Sequence, residues 1–428
     1  MYLVLVLGLA LRLISLNQSL WLDEATTALV SQMNLADFFT KFMSADFHPP
    51  LYYLIVSLWS TVFGYSEIAL RAPSVIFGVL TIYTVYLIAK ETKNKWPIVP
   101  ALFLATSGLH IYYSQEARMY AMATWLVSYL VLSYIRKKWV TFALLLPAIF
   151  LTDYVSFLIL PALFMFTFFN KRSEVKHFLI SCISFGLTFI IWLPFLSKQL
   201  VAGRSIKESA WWNILGPVTF KNVALIPTKF MIGRVGFENK IIYGIIMSII
   251  SVFFAYVIGK AKNRLVWSWF GWSLVFGICL SFFIPTLTYF RYLFILPAFY
   301  LLLSETKSKV FIVCILVINL LGSYFYLTRE RFQREDWRQA AKLIGNENIV
   351  FPNDSQKEAL TYYDKGNQII SGQQLMTNSY QTVWLSRYVW NIFDPNDKTR
   401  SKLEDLGYKK TGEYNFNGVE LWKYENRD

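Results

Sequence analysis

Residues 291–327 read RYLFILPAFYLLLSETKSKVFIVCILVINLLGSYFYL. Two apolar stretches, 291–304 and 310–327, lie on either side of a short basic loop at 307–309. A helix needs about 20 mostly apolar residues to cross a hydrocarbon layer of about 30 Å, and both stretches reach or approach that length. Short loops rich in Lys and Arg stay in the cytoplasm. This part of the chain therefore predicts two membrane-spanning helices joined by a cytoplasmic loop.

The same pattern recurs through most of the chain. Of its 428 residues, 55% are hydrophobic and only 16% are charged, against about 25% charged in a soluble domain. This composition excludes a soluble globule. Short basic loops, which we assign to the cytoplasm, lie at 90–95, 136–138, 171–176, 260–264 and 307–309. Eleven spans are then predicted, at 1–15, 72–89, 97–113, 117–135, 139–152, 154–170, 177–196, 241–259, 265–284, 291–304 and 310–327.

The count of spans depends on segment 51–63, LYYLIVSLWSTVF. A helix of this length is about 20 Å long, which is more typical of a helix lying on the membrane surface than of one that crosses. If it did cross, the N-terminus would lie outside and residues 16–48 would be cytoplasmic. Acidic residues contribute little to orientation, so charge alone does not exclude this alternative.

Charge and cysteine content exclude other classes of function. The formal net charge of +14 would suit a nucleic-acid partner, but the basic residues cluster between apolar stretches, where membrane orientation explains them. No nucleic acid is expected. Cys182, Cys279 and Cys314 lie inside apolar stretches and indicate neither a disulfide framework nor a zinc site. The first stretch lacks the basic start and cleavage site of a signal peptide, so a retained anchor is predicted, with Arg12 reaching out to the interface.

Charged residues near a membrane need a partner or a wet cavity, so their positions point to function. Outside the basic loops they concentrate in segments assigned to the outer side, namely the first outward loop at 16–71, the turn at 112–120, the segment 197–240 and the turn at 285–291. The charged residues in these segments include Asp23, Glu24, Asp37, Asp46, His48, Glu67, Arg71, Glu116, Arg118 and Arg291.

Each candidate has a structural alternative. Asp23 and Glu24 could cap a helix that starts at Ala25, or one of them could be a general base or a metal ligand. Glu116 and Arg118 could reach lipid headgroups, or Glu116 could approach Asp23 while Arg118 meets an anionic ligand. His48 could cap a helix beginning at Pro49 or bind a ligand. Arg291 could rest at the interface or bind a phosphate.

The segment 197–240 is basic although it lies on the outer side. It contains Trp211 and Trp212 between the cations Lys198, Arg204, Lys207, Lys221, Lys229 and Arg234. A long loop is free to break the charge rule. The segment could be a helix on the membrane surface, or a lid over an anionic lipid substrate.

Six pieces of sequence, taken together and in order, carry a family resemblance. They are SLWLDEATTAL at 19–29, HPPLYYLI at 48–55, ALRAPSVIFGVLT at 69–81, YYSQEARMYAM at 112–122, FRYLFILPA at 290–298 and EDWRQAAKLI at 335–344. The chain resembles the lipid-linked-sugar glycosyltransferases of the GT-C fold, specifically the bacterial and archaeal relatives of glycosyltransferase family 39. That group includes the protein O-mannosyltransferases, and the aminoarabinose transferases of lipid A are more distant relatives.

The resemblance implies a polytopic α-helical membrane protein with two interfacial helices in the first outward loop. It implies that Asp23 is the catalytic aspartate, that Glu116 is the second acidic residue of the site, and that Arg118 and Arg291 lie near the lipid phosphate. Further candidates for substrate binding are Glu24, His48, Tyr52, Arg71, Tyr120 and Tyr292. The family's eukaryotic members have a lysine shortly after the prolines, which HPPLYY lacks, so phosphate contact by His48 stays open.

A divalent cation is left open as a cofactor. The acidic-any-acidic motif of the oligosaccharyltransferase catalytic subunit is absent from the sequence. If an ion does bind, its ligands are expected among Asp23, Glu24, His48 and Glu116.

The function that the resemblance implies is inverting transfer of a sugar from a polyprenyl-phosphate donor to a hydroxyl of a protein, lipid or glycan, on the extracytoplasmic face of a prokaryotic cell membrane. One rival is a flippase or transporter, which usually has carboxylates at mid-membrane depth. The predicted spans here are nearly free of Asp and Glu. A second rival is a ligase or polymerase of surface polysaccharide, and only the ordered motifs argue against it.

Two domains are predicted, a transmembrane catalytic domain at 1–327 and an extracytoplasmic α/β domain at 328–428. In the second, Glu335 to Arg338 is typical of a helix start, and strands are expected at 349–351, 381–389 and in a hairpin at 409–424. This domain could select the acceptor or only cap the membrane domain.

Overall fold

A computed structural model describes residues 1–205, 212, 218–353, 356–364, 369–370, 375 and 380–426. The first three quarters of the chain are helical, and a small mixed sheet lies near the C-terminus. Five helices in the described part are long and apolar enough to cross a membrane. The predicted fold class, a polytopic helical membrane protein with a small C-terminal α/β region, is confirmed.

The helices of the apolar region follow the predicted spans closely. Those long enough to cross are Glu67–Glu91, Arg172–Arg204, Lys240–Ile258, Arg264–Ser281 and Lys309–Thr328. Shorter apolar helices are Tyr2–Leu13, Leu51–Phe63, Tyr120–Ile135, Trp139–Phe150, Ser156–Asn170 and Tyr289–Leu303. The number of crossings stays a prediction, because several of these helices are shorter than a hydrocarbon layer requires.

The predicted span 97–113 is not one helix. It consists of Ile98–Thr106 and Gly108–Ser114, which meet at Ser107. The backbone of Ser107 is extended, with φ −69° and ψ 116°, and its hydroxyl accepts a hydrogen bond from the amide of His110 at 3.4 Å. Ser favours this capping role because its oxygen satisfies an amide that has no partner within the helix.

The break at Ser107 also corrects the expectation for Arg12. This guanidinium does not reach the interface but is fully buried. The carbonyls of Leu104 and Ala105 lie in the last turn before the break, where the regular pattern of helical hydrogen bonds ends. Arg12 donates to both, at 3.3 and 3.2 Å, and also to the ring of His110.

The first outward loop contains the two helices that were expected, Leu22–Val30 and Leu51–Phe63. The first begins before Ala25, because its N-cap is Trp21, so Asp23 and Glu24 lie in its first turn. The loop is completed by short helices at Leu35–Asp37 and Met43–Ala45, with a π-helical turn, Phe38–Phe42, between them.

The described parts of segment 197–240 are largely helical. The helix Val175–Ser205 extends into it, and a second helix, Phe220–Ile232, begins where Thr219 accepts a hydrogen bond from the amide of Asn222. This second helix ends at Gly233, whose φ of +73° favours glycine. Lys207 and Trp211 lie outside the described residues.

The C-terminal sheet region is defined as residues 337–426, and its described residues form five strands in the order β2-β1-β3-β5-β4. The strands are β1 Asn348–Val350, β2 Ile369–Ile370, β3 Thr382–Ser386, β4 Lys409–Phe416 and β5 Val419–Glu425. β1 is parallel to β2 and β3, whereas β5 is antiparallel to β3 and β4. Helices of this region are Trp337–Ile344, Glu358–Tyr363, Trp390–Phe393 and Lys398–Asp405. The predicted helix start, strands and hairpin are therefore confirmed.

The C-terminal sheet region rests on the first outward loop. The hydroxyl of Tyr363 accepts from the amide of Leu20 at 2.7 Å and donates to Glu67 at 2.9 Å. Arg338 donates to the carbonyl of Asn17 and to Glu67, both at 2.6 Å. These contacts hold the sheet region against the segment that leads into the helix carrying Asp23 and Glu24.

Candidate active site

Asp23 and Glu24 are neighbours in the sequence but lie in opposite environments. The side chain of Glu24 is completely buried, whereas that of Asp23 is 38% exposed. Both belong to the first turn of Leu22–Val30, where successive residues point in different directions around the helix. One helix turn thus supplies one structural carboxylate and one that is open to solvent.

Glu24 is held by Arg71. The two side chains pair through two bonds, Nε to Oε1 at 2.8 Å and Nη2 to Oε2 at 2.5 Å. Burial alone would raise the pKa of Glu24, but Arg71 and Arg334 outweigh it, so the pKa is lowered and the carboxylate stays charged. Arg71 also donates to the carbonyls of Leu16, Gln18 and Ser19.

The carboxylate of Glu24 also fixes the turn that carries Glu116 and Arg118. Its Oε1 accepts a hydrogen bond from the amide of Ala117 at 2.8 Å. The first outward helix and the turn at 112–120 are therefore adjacent, as the approach of Glu116 to the Asp23 region requires. Glu24 and Arg71, both candidates for substrate binding, instead form the frame of the site.

Arg118 lies next to the exposed carboxylate. Its Nη2 is 3.7 Å from Oδ2 of Asp23 and 3.1 Å from Nε2 of His48, and its Nη1 donates to the hydroxyl of Tyr53 at 2.9 Å. The guanidinium is buried, and its Nε has no hydrogen-bond partner among the described residues. A cation with a donor to spare beside a carboxylate suits an anionic ligand.

His48 orients Arg118 through a chain of hydrogen bonds. Arginine only donates, so Nε2 of His48 accepts from it, and the ring proton must sit on Nδ1. Nδ1 then donates to Oδ1 of Asp46 at 3.0 Å, while Oδ2 of Asp46 accepts from Tyr53 at 3.1 Å. Burial would raise the pKa of Asp46, but His48 and Arg118 outweigh it and the pKa is lowered.

Glu116 is paired with Arg334. Its Oε2 accepts from Nη1 of Arg334 at 2.7 Å, and its Oε1 has no partner within the described chain. Burial raises the pKa of Glu116 to about 6, although Arg334 acts in the opposite direction.

A tyrosine between two arginines completes this side of the site. The guanidinium of Arg334 lies 3.7 Å from the ring centre of Tyr112, and that of Arg234 lies 4.3 Å from it. Both also donate to its hydroxyl. Gly233, Gly108 and Gly322 lie where neighbouring segments approach closely, and a Cβ at any of them would crowd the backbone of the facing segment. This close approach brings Arg234, which follows Gly233, up to Tyr112.

The other predicted residues are divided between the rim of the site and the core. Tyr52 bonds to Ser74, whose hydroxyl contacts the carbonyl of Arg118 at 3.3 Å, so it lies behind the site. Tyr120 packs edge-on against Phe290. Arg291 is half-buried and donates to the carbonyl of Pro285 at 2.6 Å.

Tyr292 lies in the protein core. It is fully buried, and a Cβ on Gly277 would overlap its phenol. Among the described residues the structure brings together Asp23, Glu24, His48, Arg71, Glu116 and Arg118, and it sets Tyr292 apart from them.

The sequence does not predict the contacts of four residues of the site, which are Arg334, Asp46, Tyr53 and Tyr112. Two of them have a local signal, since Asp46 stands two positions before His48 and Tyr53 lies within HPPLYYLI. Arg334 directly precedes EDWRQAAKLI but was assigned to the polar tail.

The four residues considered as metal ligands do not converge. Arg71 and the amide of Ala117 occupy Glu24, Arg334 binds Glu116, and the lone pair of His48 accepts from Arg118. Over the described ranges no three of His, Cys, Asp and Glu are grouped to hold an ion. Of the four candidates only Asp23 stays open, so this donor set does not fit a divalent cation.

Comparison with known proteins identifies the fold. Residues 47–197 match the family model described as dolichyl-phosphate-mannose-protein mannosyltransferase. The structure is similar to ArnT from Cupriavidus metallidurans in the apo state, with a TM-score of 0.58, 11% identity and coverage of 99% of this chain and 97% of that one. The chain has a GT-C glycosyltransferase fold. The resemblance predicted from the motifs is thereby confirmed.

Two structures of an archaeal enzyme share the fold. The Archaeoglobus fulgidus oligosaccharyltransferase in complex with Zn and sulfate gives a TM-score of 0.54 at 14% identity, covering 99% of this chain and 73% of that one. The same protein tethered to an acceptor peptide gives 0.52 at 13% identity, covering 100% and 74%. Comparison with curated proteins found no match.

Proposed function

We propose that this protein transfers a sugar from a polyprenyl-phosphate donor to an acceptor hydroxyl, with inversion at the anomeric carbon. The observation that carries the proposal is the contrast between Asp23, which is 38% exposed beside Arg118, and Glu24, which is buried in an ion pair. The GT-C fold and the matching family model support the choice of reaction.

Asp23 is the general base of this reaction. A base must be ionised and within reach of the hydroxyl that it deprotonates. Asp23 can be reached by an acceptor because its side chain is open, and it lies 3.7 Å from the guanidinium of Arg118. Glu24 and Glu116 are poorer candidates, since each already accepts from a buried arginine.

The arginines serve the leaving group. As the bond between the anomeric carbon and the phosphate oxygen breaks, its electron pair moves to the phosphate, and fixed cations stabilise the growing charge. Arg118 lies beside the open carboxylate of Asp23, and Arg291 is half-buried and makes one bond to a carbonyl. Both can bind phosphate oxygens without giving up a buried carboxylate partner.

With Asp23 as the base and the arginines at the leaving group, the reaction is a single displacement. The acceptor oxygen forms its bond to the anomeric carbon from the face opposite the phosphate, and its proton goes to Asp23. Retention would need a second carboxylate placed as a nucleophile. The neighbouring carboxylates, Glu24 and Glu116, are both engaged in ion pairs with arginines. Neither is placed as a nucleophile, and this favours inversion.

The outer face of a prokaryotic cell membrane is the proposed location. With the basic loops at 90–95, 136–138, 171–176, 260–264 and 307–309 in the cytoplasm, the site and the C-terminal sheet region face outward. The acceptor is a protein, another lipid or a glycan. Residues 1–327 form the proposed transmembrane catalytic domain, and residues 328–428 form the proposed extracytoplasmic domain.

The experiment is deletion in the native cell followed by complementation. We expect loss of the protein to cause accumulation of one polyprenyl-phosphate sugar, detected by mass spectrometry of the lipid extract. Wild type and Asp37→Asn should reverse this, but Asp23→Asn should not. Asp37 is a matched control, because it lies in the same loop with 39% of its side chain exposed, and its partners are the nearby Lys41 and Asn34. Normal complementation by Asp23→Asn would refute the role of Asp23. Accumulation of a lipid-linked sugar on the cytoplasmic leaflet, or of a lipid-linked glycan that has not been polymerised or ligated, would favour the rival classes.

A further inference from the structure

A short linker joins the last apolar helix to the C-terminal sheet region. It begins after Thr328, forms the turn Glu330–Phe332 and continues to Asp336, the N-cap of the next helix. Along this linker Arg334 is turned inward, with 1% of its side chain exposed. The linker therefore inserts one buried cation into the membrane part of the protein.

Inside the site Arg334 contacts two elements that are far away in the sequence. Its Nη1 donates to Glu116 at 2.7 Å, its Nη2 reaches the carbonyl of Tyr112 at 3.3 Å, and its Nε lies 3.9 Å from Glu24. Its own amide donates to Oε1 of Gln18 at 2.9 Å. Arg334 thus links the turn at 112–120 to the first outward loop.

The other side of the linker is held by the hairpin between β4 and β5. The side-chain amide of Asn417 donates to the carbonyls of Glu330 and Arg334, both at 2.9 Å, and the carbonyl of Asn417 accepts from the amide of Asp336 at 2.8 Å. Gly418 has φ +71°, and a Cβ there would lie 2.7 Å from Cγ of Glu335. A turn with glycine at this position is what allows the hairpin to close on the linker.

We infer that Arg334 is a positioning residue for Glu116, and that the hairpin turn at Asn417 and Gly418 holds Arg334 in place, so that the C-terminal sheet region controls the order of the active site. The effect on turnover rests on the proposed function. The mechanical link between the hairpin and Glu116 does not depend on it.

The charge balance around Glu116 explains why this contact is important. The groups that face its carboxyl from the packed elements are Arg334, Glu24, Arg234, Tyr112, Tyr52, Tyr113 and Tyr120. Arg334 contacts the carboxylate directly, while Glu24 repels it. Without Arg334 a buried carboxylate with one oxygen already unpaired loses its hydrogen-bonded partner, and such a group takes up a proton or reorients.

Three variants and a matched control test the inference. Arg334→Gln removes the charge, and Arg334→Lys keeps the charge without the planar fork. Asn417→Asp is isosteric but places a carboxylate oxygen against two carbonyls where a donor stood. Asn415→Asp is the control, because it makes the same change two residues earlier on the exposed part of β4. All are made in the full chain reconstituted in lipid nanodiscs.

The first measurement is hydrogen exchange of residues 112–118, which needs no substrate. We expect faster exchange in Arg334→Gln and Asn417→Asp and wild-type exchange in Asn415→Asp. Wild-type exchange in all variants would overturn the link. This result stands even if the wild type transfers no sugar, an outcome that would refute the proposed function alone.

The second measurement is the pH profile of turnover. The acid limb is the rise of turnover on the acidic side of the profile, and loss of the Arg334 charge should shift its midpoint upward by about 1 to 3 pH units. The midpoints of Arg334→Lys and Asn417→Asp should lie between those of the wild type and Arg334→Gln. Displacement of a site group by about 1 Å can lower turnover by about 10²-fold. A merely structural role would reduce the yield of folded protein without moving the limb. An unmoved acid limb in Arg334→Gln, or equal effects of Asn417→Asp and Asn415→Asp, would contradict the inference.

Discussion

A hydrogen bond of 2.8 Å joins the amide of Ala117 to Oε1 of Glu24, although the two residues are 93 positions apart in the sequence. It ties the helix that presents Asp23 to the turn that presents Glu116 and Arg118. Because Glu24 is also paired with Arg71, the same buried carboxylate holds three separate segments together. The open carboxylate of Asp23 can act beside Arg118 only while this frame is intact.

The first prediction concerns the stability of that frame. Glu24→Gln leaves Arg71 buried without its counter-ion, and removing one partner of a buried pair costs about 3–5 kcal/mol. Glu91→Gln is the control, because its pair with Arg136 is about one third exposed on both sides, and an exposed pair contributes about 0–1 kcal/mol. The midpoint of thermal unfolding in detergent should therefore fall much further in Glu24→Gln than in Glu91→Gln. Similar unfolding midpoints would show that the pair is not structural.

The second prediction concerns the role of His48. If its Nε2 orients Arg118, His48→Ala should lower kcat by up to about 10²-fold with a smaller change in the KM of the donor. His48→Gln keeps an acceptor for the guanidinium and should recover part of the loss. Steady-state kinetics with a polyprenyl-phosphate sugar measures both quantities. A large rise in KM with unchanged kcat would instead indicate direct contact between His48 and the phosphate.

The third prediction is a pH dependence with opposite signs for turnover and stability. Burial raises the pKa of Glu116 to about 6 from its ordinary 4.5, so the folded protein binds this proton more tightly than the unfolded chain. The contribution to stability is therefore present below pH 4.5 and is lost as pH rises through about 6. Turnover that needs ionised Glu116 should rise over the same window.

The matched variant for this prediction is Glu116→Gln, which cannot titrate. Its unfolding midpoint should lack the fall between pH 4.5 and about 6 that the wild type shows from this group. An identical pH profile in both proteins would mean that Glu116 is not the group that titrates there.

The fourth prediction concerns metal removal. Glu24, Glu116 and His48 already have arginine partners, so they do not offer an open set of ligands. Prolonged treatment with EDTA should leave the turnover of the purified protein unchanged. Loss of turnover that returns on adding a divalent ion would contradict this reading of the site.

Much of the fold and part of the site could be predicted because the signals are local. Pro49 and Pro50 mark the start of Leu51–Phe63, and Asn417-Gly418 marks the hairpin between β4 and β5. The adjacency of the Asp23 region and the 112–120 turn followed from the order of motifs. In each case a few neighbouring residues, or a known arrangement of them, carry the information.

The contacts that the sequence did not reveal are long-range and depend on packing. Arg334 meets Glu116 across 218 positions, and nothing in its own neighbourhood separates it from the other cations of the linker. Arg12 stands where an arginine usually reaches the interface, but the break at Ser107 supplies buried carbonyls that it can bind. Such partners are defined only once the helices are packed.

Transfer by the purified protein, followed by determination of the anomeric configuration of the product, tests the central claim most directly. With the donor identified in the deletion strain, the wild type should form a product of inverted configuration. Asp23→Asn should turn over at least about 10²-fold more slowly, while Asp37→Asn should match the wild type. A product of retained configuration, or wild-type turnover by Asp23→Asn, would contradict the account.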